Sequence, residues 1–183
     1  MLEWSLTVSA GQRADPPSGQ AEDGVKQFAH VRAGLGTVTA LPFLSERANL
    51  RFEASGQWAA VSLPEVEKFG VGFQPHLRGY VPWGAEGDRG GAGAVEVSYI
   101  KPMNSAGLLE VMPFVFFDAA FVDDHVKRDY APKAQQLYSS GGGVRLVFGR
   151  GYSSAAWIGV PLRDGSQSKA GEPAFYARVT KGW

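Results

Sequence analysis

The residues able to do chemistry are few and poorly spaced for it. His30, His76 and His125 show neither H-x-x-x-H nor H-E-x-x-H spacing. Cysteine is absent, so thiol nucleophiles, disulfides and Cys-ligated zinc are excluded. Ser153-Ser154 lacks the G-x-S-x-G surroundings of a nucleophile elbow. Gly141-Gly142-Gly143 lacks the Lys-Ser/Thr of a phosphate loop and enters a strand pattern, where small side chains suit a crowded or lumenal wall. Asp123-Asp124-His125, next to Lys127 and Arg128, reads as a solvated loop. No catalytic residue, cofactor or metal site is expected, and the chain is not read as an enzyme. Charge pairing remains. Asp118 lies on the polar side of a strand whose neighbours, Phe114 to Phe117, are strongly apolar, and a lone carboxylate there asks for a cationic partner.

The elements that must position these groups are strands. Between Arg47 and Ala60, apolar Ala48, Leu50, Phe52, Ala54 and Trp58 alternate with Asn49, Arg51, Glu53, Ser55 and Gln57. A period of two gives an extended strand with one apolar and one polar face. The same alternation runs through Leu2–Val8, Ala29–Leu35, Val95–Tyr99, Val144–Phe148 and Phe175–Val179. It places Arg51, Glu53, Gln57, Arg145 and Arg178 on the polar side. No segment carries an apolar stripe at helical spacing, so the chain is all-β. About nine strands are expected, near 2–9, 28–40, 47–61, 66–73, 91–101, 108–120, 136–149, 152–162 and 173–183. Several reach the length of roughly 9–11 residues that crosses a bilayer at a tilt.

Short links at Gly149-Arg150-Gly151 and around Pro102–Gly107 contrast with long ones at 74–90 and 121–135, the asymmetry of outer-membrane barrels. Aromatic residues toward strand ends (Tyr99, Phe114 to Phe117, Phe148, Tyr152, Trp157, Phe175, Trp183) read as interfacial girdles. A soluble β-sandwich also alternates and stands as the alternative. Lys+Arg 18 balance Asp+Glu 18, which argues against a nucleic-acid partner bound through bulk positive charge. No apolar run is long enough for a membrane helix. The amino terminus has no secretory signal, so if the chain belongs outside the cytoplasm it is expected to be part of a longer protein.

Three motifs, in order, carry a resemblance. They are Glu67-Lys68-Phe69-Gly70-Val71-Gly72-Phe73 leading to Leu77-Arg78-Gly79-Tyr80, then Gly87-Asp88-Arg89-Gly90 before the strand with Glu96, then Phe116-Phe117-Asp118-Ala119-Ala120. This resembles the carboxyl-terminal half of a haemolysin secretion/activation protein, a TpsB transporter of two-partner secretion in the BamA-like outer-membrane superfamily. Phe73 and Ala120 stand where the family usually has glycine. The final residue, Trp183, is the terminal aromatic that the family carries.

The resemblance implies an outer-membrane β-barrel of the 16-stranded type, here about its last nine strands, with 74–90 as a loop folded into the lumen. It implies export of a large haemolysin- or adhesin-type exoprotein through the lumen, without ATP, from the bacterial outer membrane. The membrane lipid and the barrel assembly machinery are the further partners. It pairs Arg78 with Asp118, makes Glu96 a further partner, gives Gly79 and Tyr80 to the loop's turn and wedge, and makes Phe175 and Trp183 the terminal assembly signal. The alternatives are a BamA/TamA-type assembly factor and a small β-barrel or β-sandwich binding module.

Overall fold

Alternating sequences without helical stripes leave the backbone one way to satisfy its N–H and C=O groups, lateral pairing between strands. The computed structural model describes residues 2–12, 27–72, 77–81, 85–103, 107–125 and 134–182. Its strands are β1 (Leu2–Gln12), β2 (Gln27–Ala40), β3 (Ala48–Ala59), β4 (Phe69–Val71), β5 (Ala85–Gly87), β6 (Arg89–Tyr99), β7 (Lys101–Pro102), β8 (Leu108–Asp123), β9 (Ala134–Phe148), β10 (Tyr152–Pro161) and β11 (Ala174–Lys181). Nine form one antiparallel sheet in the order β1-β2-β3-β6-β8-β9-β10-β11, with the short β7 beside β8. Sequential hairpins leave β1 and β11 at opposite edges of this open sheet.

The connections at one end are short: 41–47, 100–107 and 149–151. Those at the other end, 13–26, 60–88, 124–133 and 162–173, are longer. β2, β8 and β9 have 14, 16 and 15 residues. That exceeds the five or six typical of soluble strands.

One face of the sheet carries an apolar surface on which none of the described residues packs. Trp4 is 76% exposed and Val179 76% exposed, and Val115, Phe121, Ile158 and Phe175 are exposed on strands between them. A β-sandwich would bury such a face against a second sheet. The residues of opposite parity form the inner face, where Phe114, Phe116, Asp118, Ala120, Val122 and Asp124 are buried in succession along β8. What they pack against is the 60–88 connection. Val71, Leu77, Tyr80 and Ala85 of that connection form one apolar cluster with Ala92, Ala120, Val122 and Leu137 of the wall.

Three sequence expectations are corrected here. The segment 66–73 is no member of the main sheet. After Pro64 the chain makes a 3₁₀ turn, Glu65–Glu67, and only Phe69–Val71 is extended, pairing with Ala85–Gly87 in a two-stranded ribbon. Gly72, at φ +98°, ends it. The inward loop therefore begins at 60 rather than 74, and Arg89 and Gly90 already belong to β6. Secondly, Phe114, Phe116 and Trp157 do not join a girdle, because their parity turns them to the inner face, where each is about 95% buried. Thirdly, Asp124 is buried and His125 half-buried at the end of β8, with Asp124 bonded to Lys68 rather than solvated. His76, Lys127, Arg128 and Trp183 lie outside the described residues.

Candidate functional site

Antiparallel register fixes which inner-face residues become neighbours. One row reads Arg51, Glu96, Phe116, Gly141, Gly159 across β3, β6, β8, β9 and β10. The next row on one side holds Glu53, Ala94, Asp118, Ser139 and Pro161, and on the other Ser98, Phe114, Gly143, Trp157 and Tyr176. The aromatics are thus flanked by glycines. A Cβ on Gly141 would stand 2.6 Å from the Phe116 ring, and one on Gly143 would stand 2.5 Å from Cβ of Trp157. These glycines leave space first for the β10 backbone, whose Ile158 and Ala156 carbonyl oxygens a Cβ would meet closest, and then for the aromatic side chains, and Gly159 makes room for something else.

That something is the loop tip. Leu77 (φ +63°) and Gly79 (φ +115°) reverse the chain, and the Tyr80 amide donates to the Leu77 carbonyl at 3.2 Å. The turn lies so close to β10 that a Cβ on Gly159 would be 2.7 Å from the Arg78 carbonyl carbon. A Cβ on Gly79 would in turn be 2.9 Å from the Gly159 carbonyl carbon. Backbone meets backbone only because both residues are glycine.

Held there, Arg78 reaches two carboxylates. Its backbone amide and Nε donate to Asp118 Oδ2 at 2.8 and 3.0 Å, and Nη2 donates to Oδ1 at 2.8 Å. Nη1 donates to Glu96 Oε2 at 2.6 Å. The guanidinium carbon lies over the Phe116 ring, 3.7 Å from its centroid. A planar fork suits this bidentate, stacked geometry. Burial would lower the pKa of Arg78, but the hydrogen bonds and charges of Asp118 and Glu96 outweigh it and hold the group above its usual value. Asp118 is fully buried.

Glu96 has a second cation. Arg145 donates from Nη1 and Nη2 to the two Glu96 oxygens at 2.6 and 2.9 Å, and sits 4.1 Å over the Phe114 ring. Two arginine-on-phenylalanine stacks thus share one glutamate. The sequence reading placed Arg145 on the polar face but not in this cluster. Its link to Glu96 crosses β8 diagonally, which only the register reveals.

Tyr80 is buried and faces the β10–β11 hairpin. Its hydroxyl lies 2.7 Å from the Arg163 carbonyl and 3.0 Å from that of Tyr138, and has one proton to donate between them. Burial raises its pKa and keeps it a neutral donor. The Tyr80 carbonyl accepts from the Tyr176 hydroxyl at 3.0 Å, and Tyr176 stacks on Trp157 at 5.3 Å. Of the remaining expected site residues, Phe175 is exposed on the outer face of β11, away from the loop. Gly159, Tyr176 and Arg145 are the residues that sequence reasoning missed as members of this site.

The family model for the haemolysin secretion/activation protein ShlB/FhaC/HecB matches residues 2–146. Two solved structures share the fold. CdiB from Escherichia coli superposes with a TM-score of 0.76 at 18% identity, over 97% of this chain and 33% of that one. CdiB from Acinetobacter baumannii superposes with a TM-score of 0.61 at 19% identity, over 84% of this chain and 26% of that one. The chain therefore spans about a third of the length of these relatives or less. No curated protein sequence matches.

Proposed function

The chain belongs to the haemolysin secretion/activation protein family ShlB/FhaC/HecB, a family of outer-membrane two-partner secretion transporters, and on that premise we propose that it forms part of a barrel that exports a large haemolysin- or adhesin-type exoprotein. The observation that carries this reading is the loop tip bonded to the inner wall through Arg78, Asp118 and Glu96. In an assembled barrel that wall faces the lumen, and the apolar face meets lipid. Mixed charge on the wall (Arg51, Glu53, Arg145, Arg178) would let an extended polypeptide pass without adhering. Export would run without ATP, driven by folding of the exoprotein outside the cell. Phe175 and Trp183 would form the terminal strand signal read by the barrel assembly machinery.

Arg78→Ala in the full-length protein tests the reading. Removing one partner of a buried ion pair costs about 3–5 kcal/mol, here borne by the docked loop rather than by the strand ladder. Export should fall at least about tenfold, a loss of 1.4 kcal/mol or more, with barrel abundance nearly unchanged. Export at the unmodified level would overturn the proposal.

A further inference from the structure

The inward loop is pinned to β8 at a second place that the reading above does not use. Asp88, of Gly87-Asp88-Arg89-Gly90, is completely buried at the point where the loop passes into β6. Its carboxylate accepts from the Leu63 amide at 2.7 Å and from the His125 amide at 2.8 Å. Its own amide donates to Asp124 Oδ1 at 3.2 Å. Lys68 Nζ donates to that same oxygen at 2.7 Å and stands 3.7 Å from Asp88. Gln57 of β3 donates to the Glu67 and Asp88 carbonyls at 3.0 and 3.2 Å. Both limbs of the loop, the end of β3 and the end of β8 are thus tied into one buried knot.

Asp118 lies on the inner face of β8, and Asp124, of the same parity, directly follows the strand's last residue. At about 3.3 Å per residue, roughly 20 Å separates the tip attachment from the root attachment. The two differ in what must move to break them. Arg78 sits on a short turn and takes its charge with it when it leaves. Leu63, Lys68 and Asp88 lie beside strand ends, so opening the root means fraying β3 and β6 and separating a buried lysine from its two aspartates. The β4–β5 ribbon stiffens the stem between root and tip.

Building on the reading of the loop as the movable part of a transporter, we propose that Asp88, together with Lys68, is a positioning residue. This root clamp sets where Arg78 lands on the wall and stays closed when the tip leaves. The loop then swings about a fixed base instead of unravelling.

The test uses the full-length protein. Asp88→Asn keeps the shape but removes the charge that Lys68 and two amides address. It should lower export about tenfold, the scale of one charge-assisted hydrogen bond. In an Arg78→Ala background the same change should add less than about twofold, because a positioning residue acts through the group it positions. Independent, multiplying losses, or a parallel fall in barrel abundance, would overturn the proposal. A second measurement stands apart from that variant. Gly70 and Glu86 are Cα partners across the ribbon, so Gly70→Cys with Glu86→Cys, in full-length protein freed of any other cysteine, gives a single defined cross-link. Export should survive the cross-link, whereas a block relieved by reductant would show that the stem must open and would sink the fixed-base idea. If Arg78→Ala alone leaves export intact, the transport reading itself fails. If Arg78→Ala impairs export and Asp88→Asn does not, only the root clamp fails.

Discussion

Arg78 is bonded through its backbone amide, Nε and both terminal nitrogens while its guanidinium carbon sits over the Phe116 ring. A lysine at this position offers one compact ammonium, which can meet one carboxylate well but not two while covering the ring. Arg78→Lys should therefore restore only part of the export lost in Arg78→Ala, and full restoration would show that charge alone suffices. Arg145 behaves differently because its partner is shared. Without Arg145, Glu96 keeps Arg78; without Arg78, Glu96 keeps Arg145, and only Asp118 loses its guanidinium. Arg145→Gln should thus cost clearly less than Arg78→Ala when the folded full-length protein is heated in detergent. The double change should cost at least about 1 kcal/mol more than the sum of the two, the scale found for residues in one network. Strict additivity would mean that the two arginines do not share Glu96 in solution.

Elements decide where those side chains meet. Gly159 sits mid-strand in β10, where its backbone would accept any residue, but a Cβ there points at the Arg78 carbonyl at 2.7 Å. The obstacle is backbone, which cannot rotate aside. Gly159→Ala should lift the loop tip off the wall with the sheet intact. Val81→Cys, partly buried beside the turn, should then react with a maleimide much faster than in the parent. Gly93→Ala is the matched control, because its new Cβ meets only the Glu53 carbonyl at 3.4 Å. Equal labelling in the two backgrounds would remove Gly159 from the seat of the loop. The ribbon β4–β5 shows the opposite case, a stretch that alternates like a wall strand but is cut short by the 3₁₀ turn before it and Gly72 after it.

At the scale of the molecule, the arrangement inverts a soluble protein. The apolar cluster lies between the loop and the inner wall, while the apolar outer face is left uncovered by the described residues. Such a face suits hydrocarbon, and the purified chain should need detergent to stay dispersed; a monodisperse chain in plain buffer would contradict this. The open sheet also leaves backbone donors and acceptors at β1 and β11, which lipid does not tolerate. Reconstituted alone, the chain should oligomerise or aggregate without discrete single-channel conductance, and stable unitary currents would refute that. In the full-length protein, deleting Trp183 should lower outer-membrane levels, as expected if the terminal aromatic serves as an assembly signal.

Strand identity and facing were legible in the sequence because they are local. The pleat turns alternate residues to opposite sides, so Arg51, Glu53, Glu96, Arg145 and Arg178 could be assigned to one face from their parity alone. The unequal connections and the pressure on Asp118 to find a cation were equally local features. Register was not legible, since it sums choices made along every strand of the sheet. Only the folded sheet brings Gly141 opposite Phe116, Gly159 beneath the loop turn, and Arg145 across β8 to Glu96. The inward facing of Phe114 and Phe116 follows from the parity they share with Asp118, whereas the burial of Asp88 and Asp124 belongs to the tertiary structure. A side chain's parity says which face it takes, but what covers that face comes from a segment far away in the chain.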